Sequence, residues 1–129
     1  MTNSEALKFA QKWVENFNRK DAESVLAHFA EHATFSSPKA LAFGGRAKLE
    51  SRAELAAYWK TALESIGSLH FTLDRVVNDH EARTLVILYT AEIDGRRMRA
   101  AEVYRFSESS EIVQGDALYG APYADETPA

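Results

Sequence analysis

The sequence predicts an α+β domain: helices come first, an antiparallel meander follows, and the helices pack on one face of a curved sheet. Three observations carry that expectation. Apolar residues recur at the three-and-four spacing of a helix up to Gly67, the period changes to two beyond it, and Asp94-Gly95 separates two apolar-rich runs as a two-residue hairpin turn. A chain of 129 residues holds one ordinary domain, expected over residues 1–123, and the closing stretch 124–129 reads as a polar tail.

Ala6, Phe9, Ala10, Trp13 and Phe17 form the buried stripe of the first helix, and Thr2 with Glu5 has the spacing of a capping box at its start. After a break at Asn18 to Lys20, Asp21 offers an N-cap to a short second helix with Val25, Leu26 and Phe29 as its apolar side. Residues 36–50 contain Pro38 and the pair Gly44-Gly45 and read as a long loop. Ser51 and Glu54 open a third helix, in which Leu55, Tyr58, Trp59, Ala62, Leu63 and Ile66 share a face until Gly67 stops it. Leu69, Phe71 and Leu73 then alternate with His70, Thr72 and Asp74 as a strand. Leu85 to Ile93 is apolar on both faces, as a central strand would be. Arg96 to Phe106 returns from the turn, and a last strand is expected from about Ile112 to Tyr119.

A two-residue turn at Asp94-Gly95 fixes the register of its hairpin, with Ile93 opposite Arg96 and each later pair following outward. One face then carries Ile87 opposite Glu102, Tyr89 opposite Ala100 and Ala91 opposite Met98, with Tyr104 and Phe106 further along. Glu102 stands alone there among apolar neighbours. A carboxyl so placed takes a raised pKa or a dedicated hydrogen bond, and either suits a general acid, an oxyanion donor or a polar ligand anchor. The alternative is structural: a position near the sheet edge, or a salt bridge to Arg105 or Arg46. The opposite face pairs Glu92 with Arg97, Thr90 with Arg99, Leu88 with Ala101 and Val86 with Val103. Its apolar centre suits burial against a second copy of the chain.

Fifteen basic against nineteen acidic residues leave a net charge of −4, which argues against nucleic acid as a partner. The absence of cysteine excludes thiol catalysis, Cys-ligated zinc, iron–sulfur clusters and disulfides. The opening MTNSEALK lacks a basic stretch followed by an apolar one, and no apolar run approaches the roughly 18 residues of a membrane span. A soluble, cytoplasmic protein with no membrane partner is therefore expected. His28 to His32 spells H-x-x-E-H, a zinc-binding pattern that needs both histidines on one helix. Phe29 ties its helix to an end near Ala30, which takes His32 out of register, so no metal is expected. Trp13 and Phe17 on the first helix, Tyr58 and Trp59 on the third, and Tyr89, Tyr104 and Tyr119 on strands either form ordinary core or line an apolar pocket with a few polar tips.

Several strings, taken with their order and spacing, carry a family likeness: WVENFNRKD (13–21), HATFSSP (32–38), RAELAAYW (52–59), LHF (69–71), EVYRF (102–106) and GDALY (115–119). Together, over about residues 5–121, the chain resembles the nuclear transport factor 2-like superfamily in its SnoaL-like, ketosteroid-isomerase-like branch. The resemblance implies a cone, with three N-terminal helices packed on a strongly curved mixed, mainly antiparallel sheet. It also implies an apolar pocket between helices and sheet, and a homodimer formed on the outer sheet face. Members with steroid-isomerase chemistry use a tyrosine on the first helix, a protonated acid on a strand and a second carboxylate as base. By that resemblance the strand acid falls on Glu102, the helix tyrosine on Trp13 and the base on Ser37, just before Pro38. A serine with no base beside it cannot abstract a carbon-bound proton at useful rates, so ketosteroid isomerisation is disfavoured, while the Trp13 indole is left to donate to a bound carbonyl.

The resemblance thus implies one pocket per subunit for a small hydrophobic, cyclic, carbonyl-bearing molecule, with Glu102 as candidate acid or anchor. Trp13, Phe17, Phe29, Ser37, Tyr58 and Trp59 are its expected lining from the first part of the chain, and Ile87, Tyr89, Tyr104, Ala117 and Tyr119 from the strands. An enzyme of this kind performs acid–base chemistry without a cofactor: isomerisation, cyclisation, dehydration or epoxide hydrolysis. The alternatives are a non-catalytic ligand-binding protein and a dimeric protein-interaction domain whose pocket is filled by side chains.

Overall fold

Thr2 caps the first helix, α1 (Asn3–Asn18). Its hydroxyl accepts the Glu5 N–H at 3.1 Å while the Glu5 carboxylate accepts the Thr2 N–H at 2.7 Å, closing the capping box. Ala6, Ala10, Trp13 and Phe17 are buried along one side. Asp21 caps α2 (Ala22–Leu26) by accepting from the backbone N–H and the hydroxyl of Ser24. The computed structural model describes residues 1–123, apart from the Phe43 side chain, so the expected tail at 124–129 lies outside the described residues.

The chain departs from the expected plan between α2 and α4 (Arg52–Ser65). Phe29 does not continue the second helix but begins strand β1 (Phe29–Ser36), and the expected loop at 36–50 holds a short helix, α3 (Pro38–Gly44), and a two-residue strand, β2 (Lys48–Leu49). Four helices are therefore described, not three. The residues that suggested a loop are helix punctuation. The Ser37 hydroxyl accepts the Lys39 N–H at 3.2 Å, Pro38 occupies the first turn where no N–H is needed, and Gly45 closes the helix at a left-handed φ of 76°. β1 was hidden because it is irregular. Its register against β6 shifts between Phe29 and Thr34, which leaves Glu31 and His32 both exposed in succession and breaks the period of two.

The remaining strands are β3 (Leu69–Asp79), β4 (Thr84–Ile93), β5 (Arg96–Phe106) and β6 (Ile112–Pro122), the last running three residues beyond its expected end. The sheet order is β2-β1-β6-β5-β4-β3; β1 and β6 are parallel and every other neighbouring pair is antiparallel. Asp94 and Gly95 have φ values of 50° and 84°, the two positive angles of a tight hairpin turn. The pairs from Ile93 opposite Arg96 to Thr84 opposite Arg105 keep the register read from the sequence. Leu85, Ile87, Tyr89 and Ala91 point inward from β4 and are buried, whereas Val86, Leu88 and Thr90 on its other face are half-buried. Register shifts at Leu73/Arg75 and Met98/Ala100 place an extra residue in β3 and in β6 respectively, bending those strands as bulges do, and the sheet curves over the helices.

Two contacts set the helices over the sheet. The Asn18 side chain, at the end of α1, donates to the Phe71 carbonyl at 3.0 Å and accepts the Phe71 N–H at 2.6 Å, so the helix is tied to β3 by a pair of hydrogen bonds. That tie places Trp13 over Phe71, with ring centroids 5.6 Å apart and planes at 24°. On the other side, α4 packs against β1 and brings Trp59 edge-on to Phe29 and Phe35.

Candidate functional site

Glu102 lies on β5, an inner strand between β4 and β6, and points into the fold with 4% of its surface exposed. The sheet-edge and salt-bridge alternatives both fail. Arg46 pairs with Glu54, the Arg105 guanidinium donates to Gln114 at 3.2 Å, and Glu102 has no ion pair among the described residues. Its partners are hydroxyls. Tyr89 donates to Oε2 at 3.0 Å and Tyr104 to Oε1 at 3.3 Å. Strand geometry makes this arrangement: Tyr104 is two residues along the same face of β5, and Tyr89 faces Ala100, which puts it diagonally across from Glu102.

The Trp13 indole does not serve as the expected donor to a bound carbonyl. Its N–H is committed to the Tyr104 hydroxyl at 2.9 Å. A buried indole N–H requires an acceptor, and the hydroxyl two positions past Glu102 supplies it, so Trp13 offers the cavity a ring rather than a polar tip.

Burial dominates the electrostatics of Glu102 and pushes its carboxyl up to about 8. The hydrogen bonds from Tyr89 and Tyr104 pull the other way, Asp116 adds to the rise and Lys39 opposes it. At neutral pH the carboxyl is therefore mostly protonated. Burial also lifts the phenols of Tyr58, Tyr89, Tyr104 and Tyr119, and the nearby Glu102 lifts each of them further. The result is a neutral network in which Glu102 has an O–H to donate.

A cavity of about 60 Å³ opens between helices and sheet at this network. Glu102, Trp13, Phe17, Ser37, Tyr58, Trp59, Tyr89, Ala117 and Tyr119 all line it. Phe29, Ile87 and Tyr104 do not; each is fully buried in the core, where Phe29 packs edge-on to Tyr104 at 5.6 Å. Sequence reasoning missed Phe35, Lys39, Leu69, Phe71 and Ile93, and the Ala62, Leu63 and Ile66 end of α4, among the lining residues. Phe71 carried a signal, as an inward position of a strand with period two, whereas Phe35 and Lys39 fell in stretches whose elements were misread. The space accommodates a few water molecules or the polar end of a ligand, and is well below the roughly 300 Å³ of a small-molecule pocket, so a larger occupant must displace side chains.

Ser37 is 2% exposed and structurally engaged: its hydroxyl caps α3, and its proximity to the phenols of Tyr58 and Tyr119 partly offsets the rise that burial gives them. Glu102 is the one carboxyl on the cavity wall among the described residues, and no histidine lines it. The H-x-x-E-H string is not helical. His28 precedes β1 and packs edge-on to Phe9, while Glu31 and His32 lie on the strand itself. The two histidines are thus not one helical turn apart, and no cluster of three potential ligands is found among the described residues.

A family model described as a SnoaL-like domain matches residues 10–115. The chain belongs to the SnoaL-like family. No curated protein matches it in sequence at a significant level. Among solved structures, a SnoaL-like protein of unknown function from Burkholderia thailandensis is 28% identical, with 93% of this chain and 98% of that one covered and a TM-score of 0.82. An epoxide hydrolase/cyclase-like enzyme, SalBIII, described in pyran ring formation in the polyether salinomycin, is 15% identical over 91% of this chain and 92% of its own, with a TM-score of 0.72. A steroid delta-isomerase from Pseudomonas aeruginosa is 18% identical over 90% and 80%, with a TM-score of 0.68. The fold of this SnoaL-like domain is that of the nuclear transport factor 2-like superfamily, shared with an NTF2-like protein of unknown function from Burkholderia pseudomallei that is 20% identical over 93% of this chain and 92% of its own, with a TM-score of 0.74. No helix among its described residues is long and apolar enough to cross a membrane.

Proposed function

We propose that this SnoaL-like domain binds a small hydrophobic, cyclic molecule in the cavity, with a carbonyl-type oxygen of the ligand accepting a hydrogen bond from protonated Glu102. The observation that carries this reading is the setting of Glu102: a carboxyl 4% exposed, without an ion pair among the described residues, held by two tyrosine hydroxyls at the wall of an aromatic cavity. A neutral acid in that position stabilises an oxygen that gains negative charge, because it donates without requiring a counter-ion. Cofactor-free isomerisation, cyclisation, dehydration or epoxide opening are the reactions such a donor serves. The cyclase-like and isomerase structures that share the fold support this range only at the level of architecture.

A second reading, a non-catalytic binding protein, is favoured by Ser37. Where the isomerase branch carries a carboxylate base, this chain has a hydroxyl engaged in capping, with no imidazole or further carboxylate on the cavity wall among the described residues. Proton abstraction from carbon lacks its acceptor there. The carboxyl-carbon NMR titration of Glu102, assigned with Glu102→Gln and repeated with cyclic ketones, tests the shared part of both readings. A midpoint well above 4.5 that moves on ketone addition is expected. An ordinary midpoint ends both readings in favour of a protein-interaction domain. Full turnover of an identified substrate by Glu102→Gln removes the acid role alone.

We further propose that two chains pair through the outer sheet face. Val77 and Leu118, 53% and 54% exposed, flank the half-buried Val86, Leu88, Ala101 and Val103 there.

A further inference from the structure

Lys39 is the charged side chain on the cavity wall that the reading above leaves without a task. It sits in the first turn of α3, directly after Pro38, and borders the same space as Glu102 and Tyr119. The side chain is half-buried. Among the described residues its ammonium has neither a carboxylate within ion-pair distance nor a hydrogen-bond acceptor; its close contact is the Tyr119 ring, 4.6 Å from Nζ to the centroid. A ring face returns only part of what an ammonium loses when water is removed, and desolvation accordingly lowers the Lys39 pKa, with Glu102 opposing that shift.

Among the described residues, the groups facing this ammonium in the cavity are mostly uncharged at neutral pH. Glu102 is mostly protonated, the phenols of Tyr58, Tyr89 and Tyr119 are all raised, and Ser37 is a hydroxyl. Asp116 acts on Glu102 from the neighbouring strand but does not line the cavity. The wall therefore presents one cation, one neutral acid and several hydroxyls above aromatic rings. Such a set of donors is complementary to a single negative charge. It would be self-defeating for an anion only if Glu102 were ionised, since the carboxylate would then both repel the ligand and hold Lys39 for itself.

We propose that the occupant of this cavity is a cyclic carboxylate, whose charged group pairs with the Lys39 ammonium and accepts from Glu102 while its ring lies against Trp13, Trp59 and Phe71. The proposal rests on the reading that the cavity, about 60 Å³ as it stands, widens by side-chain movement to bind a cyclic molecule, and it specifies that molecule as a monoanion rather than a neutral carbonyl compound.

Benzoate and acetophenone share a ring and nearly a shape but differ in charge, so their affinities for the full chain separate the two ideas. Binding is followed at pH 6.5 by quenching of Trp13 and Trp59 fluorescence and by calorimetry. Benzoate is expected to bind at least tenfold more tightly than acetophenone. That preference is expected to shrink at least tenfold in Lys39→Met, and to survive in part in Lys39→Arg; Lys39→Gln replaces the methionine variant if circular dichroism shows it unfolded. Binding of acetophenone without preference for benzoate overturns the anion assignment and leaves the carbonyl reading standing. A benzoate preference unchanged by loss of the ammonium overturns the role of Lys39. If neither probe binds, the proposal fails together with the pocket reading beneath it.

Discussion

Trp13 donates its indole N–H to the hydroxyl of Tyr104 at 2.9 Å, across 91 positions of sequence. This bond ties α1 to β5 and leaves the Tyr104 hydroxyl polarised toward Glu102, to which it donates at 3.3 Å. Tyr89, at 3.0 Å from the other carboxyl oxygen, has no second hydrogen-bond partner for its hydroxyl among the described residues.

The difference separates two conservative variants. Tyr89→Phe and Tyr104→Phe each remove a donor that favours the charged carboxyl, so both are expected to raise the Glu102 midpoint above its value of about 8. Tyr104→Phe also strands the buried Trp13 N–H, which costs about 1–3 kcal/mol. Urea unfolding should therefore show Tyr104→Phe to be the less stable of the two by that margin, and NMR titration should show both midpoints moved upward. A fall in either midpoint would contradict the network.

The stability of the domain should decline as pH rises through the window that Glu102 defines. Its folded-state pKa of about 8 lies above the ordinary 4.5, so between these values the native chain keeps a proton that the unfolded chain has released. Below about 4.5 both states hold the proton and above about 8 neither does, and the term is flat. Within the window the loss approaches about 1.4 kcal/mol per pH unit. Other groups titrate in the same range, so the measurement is the difference between wild type and Glu102→Gln in denaturant midpoints at pH 5, 6.5 and 8. The variant is expected to lose this component of the slope. Parallel profiles for the two proteins would mean that Glu102 titrates as if in water.

Much of this arrangement is legible in the sequence because it rests on local rules. Asp94-Gly95 fixed a register that held for every pair from Ile93 to Thr84, and that register alone placed Glu102 on the inner face beside Tyr104 and diagonal to Tyr89. The partner of Trp13 was not legible. It depends on the angle at which α1 crosses the sheet, which is set by the Asn18 hydrogen bonds to Phe71. Lys39 and Phe35 were missed for a related reason. A bulged β1 has no clean period, and a seven-residue helix between Ser37 and Gly45 looks in sequence like a loop with two breakers.

At Gly115 the backbone comes close to two rings beneath the site. A Cβ there would stand 2.8 Å from the Phe35 ring and 3.0 Å from the Tyr104 ring, both of them buried. Neither ring can swing away in a packed core, so Gly115→Ala is expected to destabilise the domain by about 1–3 kcal/mol. Because one of the two crowded rings, Tyr104, links Trp13 to Glu102, the Glu102 titration should shift as well. A variant as stable as wild type, with an unchanged titration, would show that the sheet yields at this point.

The outer sheet face supplies the last prediction. Arg75, Leu88, Ala101 and Leu118 form one row across four strands, and Val77, Val86, Val103 and Asp116 form the next. Tyr123 covers Thr90 and Arg99 further along, where its hydroxyl lies 3.2 Å from each. A face with Leu118 and Val77 more than half exposed is better buried than hydrated, and a two-fold axis would set each row against its copy. Light scattering on the eluting protein is expected to give twice the chain mass. Leu118→Glu places a like charge on both sides of the axis and is expected to give monomers, with the Glu102 titration unchanged because the side chains point to opposite faces of the sheet. A monomeric wild type would remove the dimer without touching the cavity, whereas a Leu118→Glu monomer with an altered Glu102 midpoint would mean that pairing shapes the site.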